Sequence, residues 1–309
     1  MDLKKEKILV TGGAGFLGSA VIRALVARGV PRENISSPAF SACDLRDKAS
    51  CEKAVAGVGV VIHAAAITGN AELHRANPAD IFYDNTLMGM QILKAASEER
   101  VKKFVTIGSV TEYPDDAPLP FREVNLWNGF PEATHAPYSI AKRALLTYGQ
   151  ACCTQYGISV VHLLMTTMYG PGAAKGSGPV PSFIERITEV KRTHGNEIVA
   201  WGTGKPLRDL LYVDDAAEAI LLAAEKYDGT EPVNIGSGAE VSIADLAARI
   251  AALMDFGGKF VFDPSKPDGK MRRALDVAKA EKEFGFRAQT SLEEGLRKTI
   301  EWYNGTHER

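Results

Sequence analysis

Lys7-Ile-Leu-Val-Thr-Gly-Gly-Ala-Gly-Phe-Leu-Gly18 is the stretch that decides the fold. Residues 7–11 read as a short strand, residues 16–28 read as a helix, and Gly12, Gly15 and Gly18 occupy the turn between them. Gly12 permits a tight turn, Gly15 lets backbone N–H groups approach a pyrophosphate with no Cβ in the way, and Gly18 lets the helix lie close on the strand. The N-terminus of that helix then faces two negative phosphates.

Strand-like runs at 58–64, 103–109 and 158–164 alternate with helical stretches at 78–100 and 137–156. Gly29 and Gly157 stand as helix stops, and Pro137 suits a first turn. This alternation predicts an α/β fold, a Rossmann-type doubly wound parallel sheet covered by helices on both faces. After Gly170 the texture changes, because Pro171, Gly172, Gly176, Gly178, Pro179 and Pro181 mark a loop. We therefore expect a dinucleotide-binding domain over 1–170, rejoined by about 212–236, and a smaller, mainly substrate-binding region over 171–309. A weak second strand is expected over 35–40, and its Ser36-Ser37-Pro38 offers no acid for the ribose 2′-hydroxyl of NAD. Arg32 is the available arginine for a 2′-phosphate, so NADP(H) and NAD(H) both stay open.

Composition excludes several classes. The 309 residues are 45% hydrophobic, enough for a packed core. Thirty-six Lys and Arg against 38 Asp and Glu leave a net charge of −2, so no basic field gathers nucleic acid or an anionic membrane. Lys191-Arg192 is read as a helix-end pair and not as a nucleic-acid patch. Cys43, Cys51, Cys152 and Cys153 lack metal-ligand spacing and read as buried thiols, with no metal expected. No apolar run reaches membrane-spanning length and the N-terminal stretch does not read as a signal peptide, so a cytoplasmic protein is expected.

Tyr138 and Lys142 stand at i and i+4, on one helix face, where a cation favours the phenolate and brings the tyrosine nearer to proton transfer at neutral pH. Ser109 ends a buried strand, at the carboxyl edge where parallel sheets bind ligands, and can share one substrate oxygen with Tyr138. His63, at another strand end, is read as structural.

With these residues in place, the chain resembles the extended short-chain dehydrogenase/reductase family over essentially its whole length. The glycine loop, Ser109-Val-Thr-Glu-Tyr-Pro and Tyr138-Ser-Ile-Ala-Lys142 look like its cofactor loop, serine segment and YxxxK pair. Tyr169-Gly-Pro-Gly, the segment from Trp201 to Asp215 and Val233-Asn-Ile-Gly-Ser-Gly are similar to its nucleotide-sugar branch. Pro78-Ala-Asp, Asn85 and the segment from Phe262 to Asp276 resemble the GDP-L-fucose synthase family within that branch. The resemblance implies that Tyr138 is the proton donor, that Lys142 holds the nicotinamide ribose and that Ser109 orients the sugar carbonyl. Phe16, Leu17, Asp44, Leu45, Ala64 and Ala65 join Gly12, Gly15 and Gly18 in the expected cofactor set, with Asp44 meeting the adenine. Helices 78–100 and 137–156 are expected to pair two copies into a homodimer, by analogy with relatives.

The match also breaks. In the GDP-L-fucose synthase family a cysteine and a histidine epimerise the sugar, and here the matching positions are Thr111 and one near Gly178. Thr111 is instead expected to touch the sugar ring. The arginine that accompanies that pair persists as Arg186. Glu112 stands one place beyond the acid of the dehydratases, which on a strand means the opposite face. Thr166-Thr167-Met168 replaces the usual asparagine segment, leaving Thr167 on the substrate side and Arg208 and Arg272 as phosphate candidates. The expected function is NAD(P)H-dependent reduction of the C4 ketone of a GDP- or dTDP-linked 4-keto-6-deoxyhexose. The alternatives are an NAD-dependent 4-epimerase, an epimerase-reductase using another residue such as His135 or Lys175, and a dinucleotide-binding redox sensor.

Overall fold

A computed structural model describes residues 1–307. The first part of the chain runs β1 (Ile8–Thr11), α1 (Phe16–Ala27), β2 (Ile35–Ser36), α2 (Lys48–Val55), β3 (Val60–His63), α3 (Ala71–Ala76), α4 (Pro78–Glu98), β4 (Lys103–Ser109), α5 (Ala136–Tyr156) and β5 (Ser159–Met165). There follow β6 (Thr167–Tyr169), α6 (Pro179–Arg192), β7 (Glu197–Trp201), β8 (Leu207–Tyr212), α7 (Val213–Lys226) and β9 (Val233–Ile235). The chain ends with β10 (Glu240–Ser242), α8 (Ile243–Leu253), β11 (Lys259–Asp263), β12 (Arg272–Arg273), α9 (Ala278–Phe284) and α10 (Leu292–His307).

Six strands form one sheet in the order β2-β1-β3-β4-β5-β9, with every neighbouring pair parallel. All four residues of β1 and of β3 are buried, as a sheet covered on both faces requires. Alternation along the strands sorts the core. Ile8, Val10, Ile62 and Val105 pack with residues of α1 and α7, while Leu9, Val61, Phe104 and Val160 pack with residues of α2, α4 and α5. The chain leaves β1 for β2 on one side and crosses back to β3 on the other, so the carboxyl ends of β1 and β3 flank the crevice where the strand order reverses.

In the second region β8 joins β6 and β12 in parallel and β10 in antiparallel pairing, and β7 pairs with β11. Its core gathers Tyr169, Ile184, Leu210, Tyr212, Leu246, Ile250 and Leu296. After β8 the chain returns through α7 to β9, which pairs with β5 of the large sheet.

Two local expectations are corrected. β2 spans only Ile35–Ser36 and not 35–40, because Pro38 follows at once and has no N–H to give a ladder. Cys43, Cys51 and Cys152 are buried, but Cys153 is half-buried, since one residue turns about 100° around a helix and leaves the core side. Among the described residues no helix is long and apolar enough to cross a membrane, and no cluster of potential ligands could hold a metal ion.

Candidate active site

The glycine turn is built by close contact. Gly12 has a φ of +70°, and a Cβ there would stand 2.8 Å from Ala65 Cα. A Cβ on Gly18 would stand 2.2 Å from the Gly12 carbonyl oxygen, so α1 presses on the turn as only glycine permits. Gly15 caps α1 without a side chain, leaving its first N–H groups facing the crevice mouth. A cavity of about 340 Å³ opens here, lined by Gly12, Gly15, Ala64 and Ala65 from the expected set. A bare helix start beside glycine backbone fits the diphosphate of a dinucleotide. Phe16 opens the helix, half-buried, whereas Leu17 and Leu45 are buried in the two cores. Asp44 accepts from Arg46 at 2.9 Å, and that pairing holds its carboxyl below the usual range.

Phe40 and Arg46 also line this cavity, with the guanidinium 5.5 Å from the ring centroid, and the sequence reading missed both. The early end of β2 lets residues 37–46 run beside the crevice, and the Arg46 spacing of two from Asp44 was the available signal. Arg32 instead donates to the Ile35 carbonyl at 2.7 Å.

At the end of β4 the chain enters a 3-10 turn, Val110–Glu112, closed by a capping box in which Glu112 accepts from the Ser109 N–H at 2.7 Å. This corrects the placement of Glu112 on a strand. Its fully buried carboxylate also meets His162 Nε2 at 3.1 Å, beneath the site. The turn aligns three hydroxyls. Ser139 donates to the Thr111 carbonyl at 2.8 Å and lies 3.1 Å from its hydroxyl. Thr111 donates to Ser109 Oγ twice, from its hydroxyl at 2.9 Å and its N–H at 3.2 Å. With both acceptor positions of Ser109 taken, its own proton is left to donate outward.

Tyr138 and Lys142 are both buried on α5, with the ammonium 5.5 Å from the phenol ring centroid. Burial lowers Lys142 to about 8, against the opposing pull of Glu112. Burial and the Glu112 charge push the Tyr138 phenol up, while a hydrogen bond with Thr68 works the other way. The shift is thus opposite to that expected from a neighbouring ammonium alone. His63 Nδ1 lies 2.9 Å from the Thr11 hydroxyl, which also accepts from the Ala65 N–H. Burial and the Lys142 charge hold its pKa at about 3, which fits a neutral structural imidazole.

On the opposite side, Arg208 is half-buried, its pKa drawn to about 10 by burial and by Arg273. Arg272 forms a two-point ion pair with Glu240 at 2.7–3.1 Å. Its neighbour Arg273, missed in the sequence, turns inward beside Arg208 and reaches Glu132 at 3.3 Å. Adjacent residues of a strand face opposite ways, so the two arginines point to different sides of β12. Arg186 donates to the Val199 carbonyl, and Thr167 sits half-buried on β6 opposite Gly178.

A family model described as the NAD dependent epimerase/dehydratase family matches residues 8–236. The chain is 36% identical to a probable GDP-L-fucose synthase 1 of Oryza sativa subsp. japonica, covering 97% of this chain and 92% of that one. A GDP-L-fucose synthetase structure from Naegleria fowleri superposes with a TM-score of 0.90 at 27% identity, covering 100% of this chain and 96% of that one. The NADP-bound GDP-mannoheptose C4 reductase from Campylobacter jejuni does so with a TM-score of 0.89 at 25% identity, covering 98% and 99%. The chain belongs to the NAD dependent epimerase/dehydratase family and is an NAD(P)-dependent oxidoreductase/epimerase.

Proposed function

We propose that this chain reduces the C4 ketone of a GDP-linked 4-keto-6-deoxyhexose with NADPH. The observation that carries the reading is the hydroxyl relay, in which Thr111, met by Ser139 next to Tyr138 in the chain, is committed to Ser109 and leaves Ser109 an outward donor. The names of the rice relative and the Campylobacter reductase support the GDP sugar and the ketone as substrate class.

When bound, the dinucleotide supplies the hydride. Ser109 donates to the ketone oxygen and Tyr138 passes its proton to that oxygen as negative charge develops there. The Lys142 ammonium holds the nicotinamide ribose and steadies the phenolate left behind. Arg208 and Arg273 take the sugar diphosphate through guanidinium forks, with Arg273 in the place first given to Arg272.

NADPH oxidation with GDP-4-keto-6-deoxyhexose tests this. Tyr138→Phe should slow turnover about 10²–10⁴-fold while NADPH still raises the melting temperature. Turnover at the wild-type rate in that variant would end the proposal. We also infer a homodimer through α4 and α5, where Phe82, Tyr83 and Tyr156 are exposed. Sedimentation velocity returning only a monomer removes it.

A further inference from the structure

Beneath the end of β4 lies a buried pair of ionisable side chains that the ketone reduction does not use. Glu112, in the turn after β4, is fully buried, and His162, on β5, is only 1% exposed. The Glu112 carboxylate accepts from the Ser109 N–H at 2.7 Å and meets His162 Nε2 at 3.1 Å. His162 stands opposite Thr106 across the β4–β5 ladder, with the Thr106 hydroxyl 2.6 Å from its Nδ1. Gly108 leaves the room for the pair, since a Cβ there would press on both His162 Nε2 and the Glu112 carboxylate.

Counting protons fixes the charges. The Thr106 hydroxyl gives its one proton to the Val161 carbonyl at 3.2 Å, so toward His162 it can only accept, and Nδ1 carries a hydrogen. Two acceptors cannot bond, so the contact between Nε2 and the carboxylate holds a second proton. The pair is then an imidazolium against a carboxylate, a form that burial tolerates because each charge answers the other. The other titratable groups about Glu112 are Tyr138, Lys142 and Arg143 of α5 and Tyr113, its neighbour in the chain. Arg143 is spent on main chain, its Nε donating to the Glu112 carbonyl at 2.7 Å and its Nη1 to the Gly129 carbonyl at 3.0 Å. Among the described residues, His162 is therefore the one cation in contact with the Glu112 carboxylate.

We propose that His162 is a positioning residue, the counter-ion that sets how much of the Glu112 charge reaches Tyr138 and Lys142. The inference rests on the reading of those two residues as the reducing pair. The members of the buried pair then act in opposite directions. With Glu112 made neutral, both Lys142 and the Tyr138 phenol give up their protons more readily. With His162 made neutral, the uncompensated carboxylate holds both protons more firmly.

Glu112→Gln keeps an acceptor for the Ser109 N–H and removes the anion, and His162→Gln keeps a donor toward the carboxylate and removes the cation. The test is carbon-13 NMR of the full chain with labelled lysine, following the Lys142 ε-carbon against pH, its signal identified by its loss in Lys142→Met. The wild-type midpoint should fall at about 8. Glu112→Gln should lower it and His162→Gln should raise it, each by about one pH unit. In NADPH oxidation with GDP-4-keto-6-deoxyhexose, the alkaline limb of kcat should move in the same two directions. A merely structural role would shift both variants alike or neither, and either result overturns the inference. Should His162→Gln not fold, the double variant Glu112→Gln/His162→Gln decides. A midpoint within about half a unit of wild type supports the counter-ion, and the full downward shift of Glu112→Gln alone overturns it. Opposite midpoints with no ketone reduction by the wild type overturn the reductase reading and keep the inference about the pair.

Discussion

At Gly18 one added methyl group would stand 2.2 Å from the Gly12 carbonyl oxygen. Across the cleft the elements proposed to hold the sugar diphosphate are long side chains, Arg208 from β8 and Arg273 from β12. The first surface is backbone, rigid because nothing larger than hydrogen fits. The second is assembled from segments far apart in the chain, and its atoms can be exchanged one at a time. A backbone-built site fails as a unit, whereas a side-chain-built site should lose function in graded steps.

Gly18→Ala is the largest expected break. The clash with Gly12 should cost about 3 kcal/mol of stability and abolish the NADPH-induced rise in melting temperature. A variant with wild-type cofactor response would show that the turn can yield, and the contrast would lapse.

Lys142 comes next. Its folded pKa of about 8 lies below its ordinary 10.5, so between those values the unfolded chain holds a proton that the folded chain has released. Stability should therefore rise with pH across that window. Lys142→Met should flatten the rise and be more stable at pH 7 by about 3 kcal/mol while losing activity, as denaturant melts at several pH values would show.

Arg273→Lys should raise KM for the GDP sugar about tenfold, since an ammonium cannot make the two-point contact. Arg272→Lys should change it less than about twofold, because an exposed ion pair contributes little. Equal effects would return Arg272 to the phosphate site.

The smallest effect is expected at Thr111. Thr111→Val should lower kcat about fivefold by freeing Ser109 to turn its proton inward, and Thr111→Ser should restore it. In a Ser109→Ala background the valine change should have no further effect; an additive loss would mean that Thr111 acts on the sugar directly.

Sequence legibility follows the same division. Gly12, Gly15 and Gly18 could be read because a backbone requirement selects one residue type. Tyr138 and Lys142 could be read because a helix fixes their spacing. Glu112 was misplaced because strand alternation was carried past Ser109, although Ser109-Val-Thr-Glu112 has the pattern of a capping box. Arg273 and His74 carried no local signal. A two-residue strand has no period, and His74 meets Tyr138 only through the packing of α3 on α4 and α5.

The buried Glu112 carboxylate acts on the two groups above it in the same sense, opposing loss of the phenolic proton and favouring the charged ammonium. At rest the apparatus is loaded with both protons. Such a centre is cocked to quench an incoming alkoxide and ill prepared to strip hydrogen from a sugar alcohol. The anion beneath the floor thereby keeps both groups in the protonated form from which the proposed ketone reduction would start.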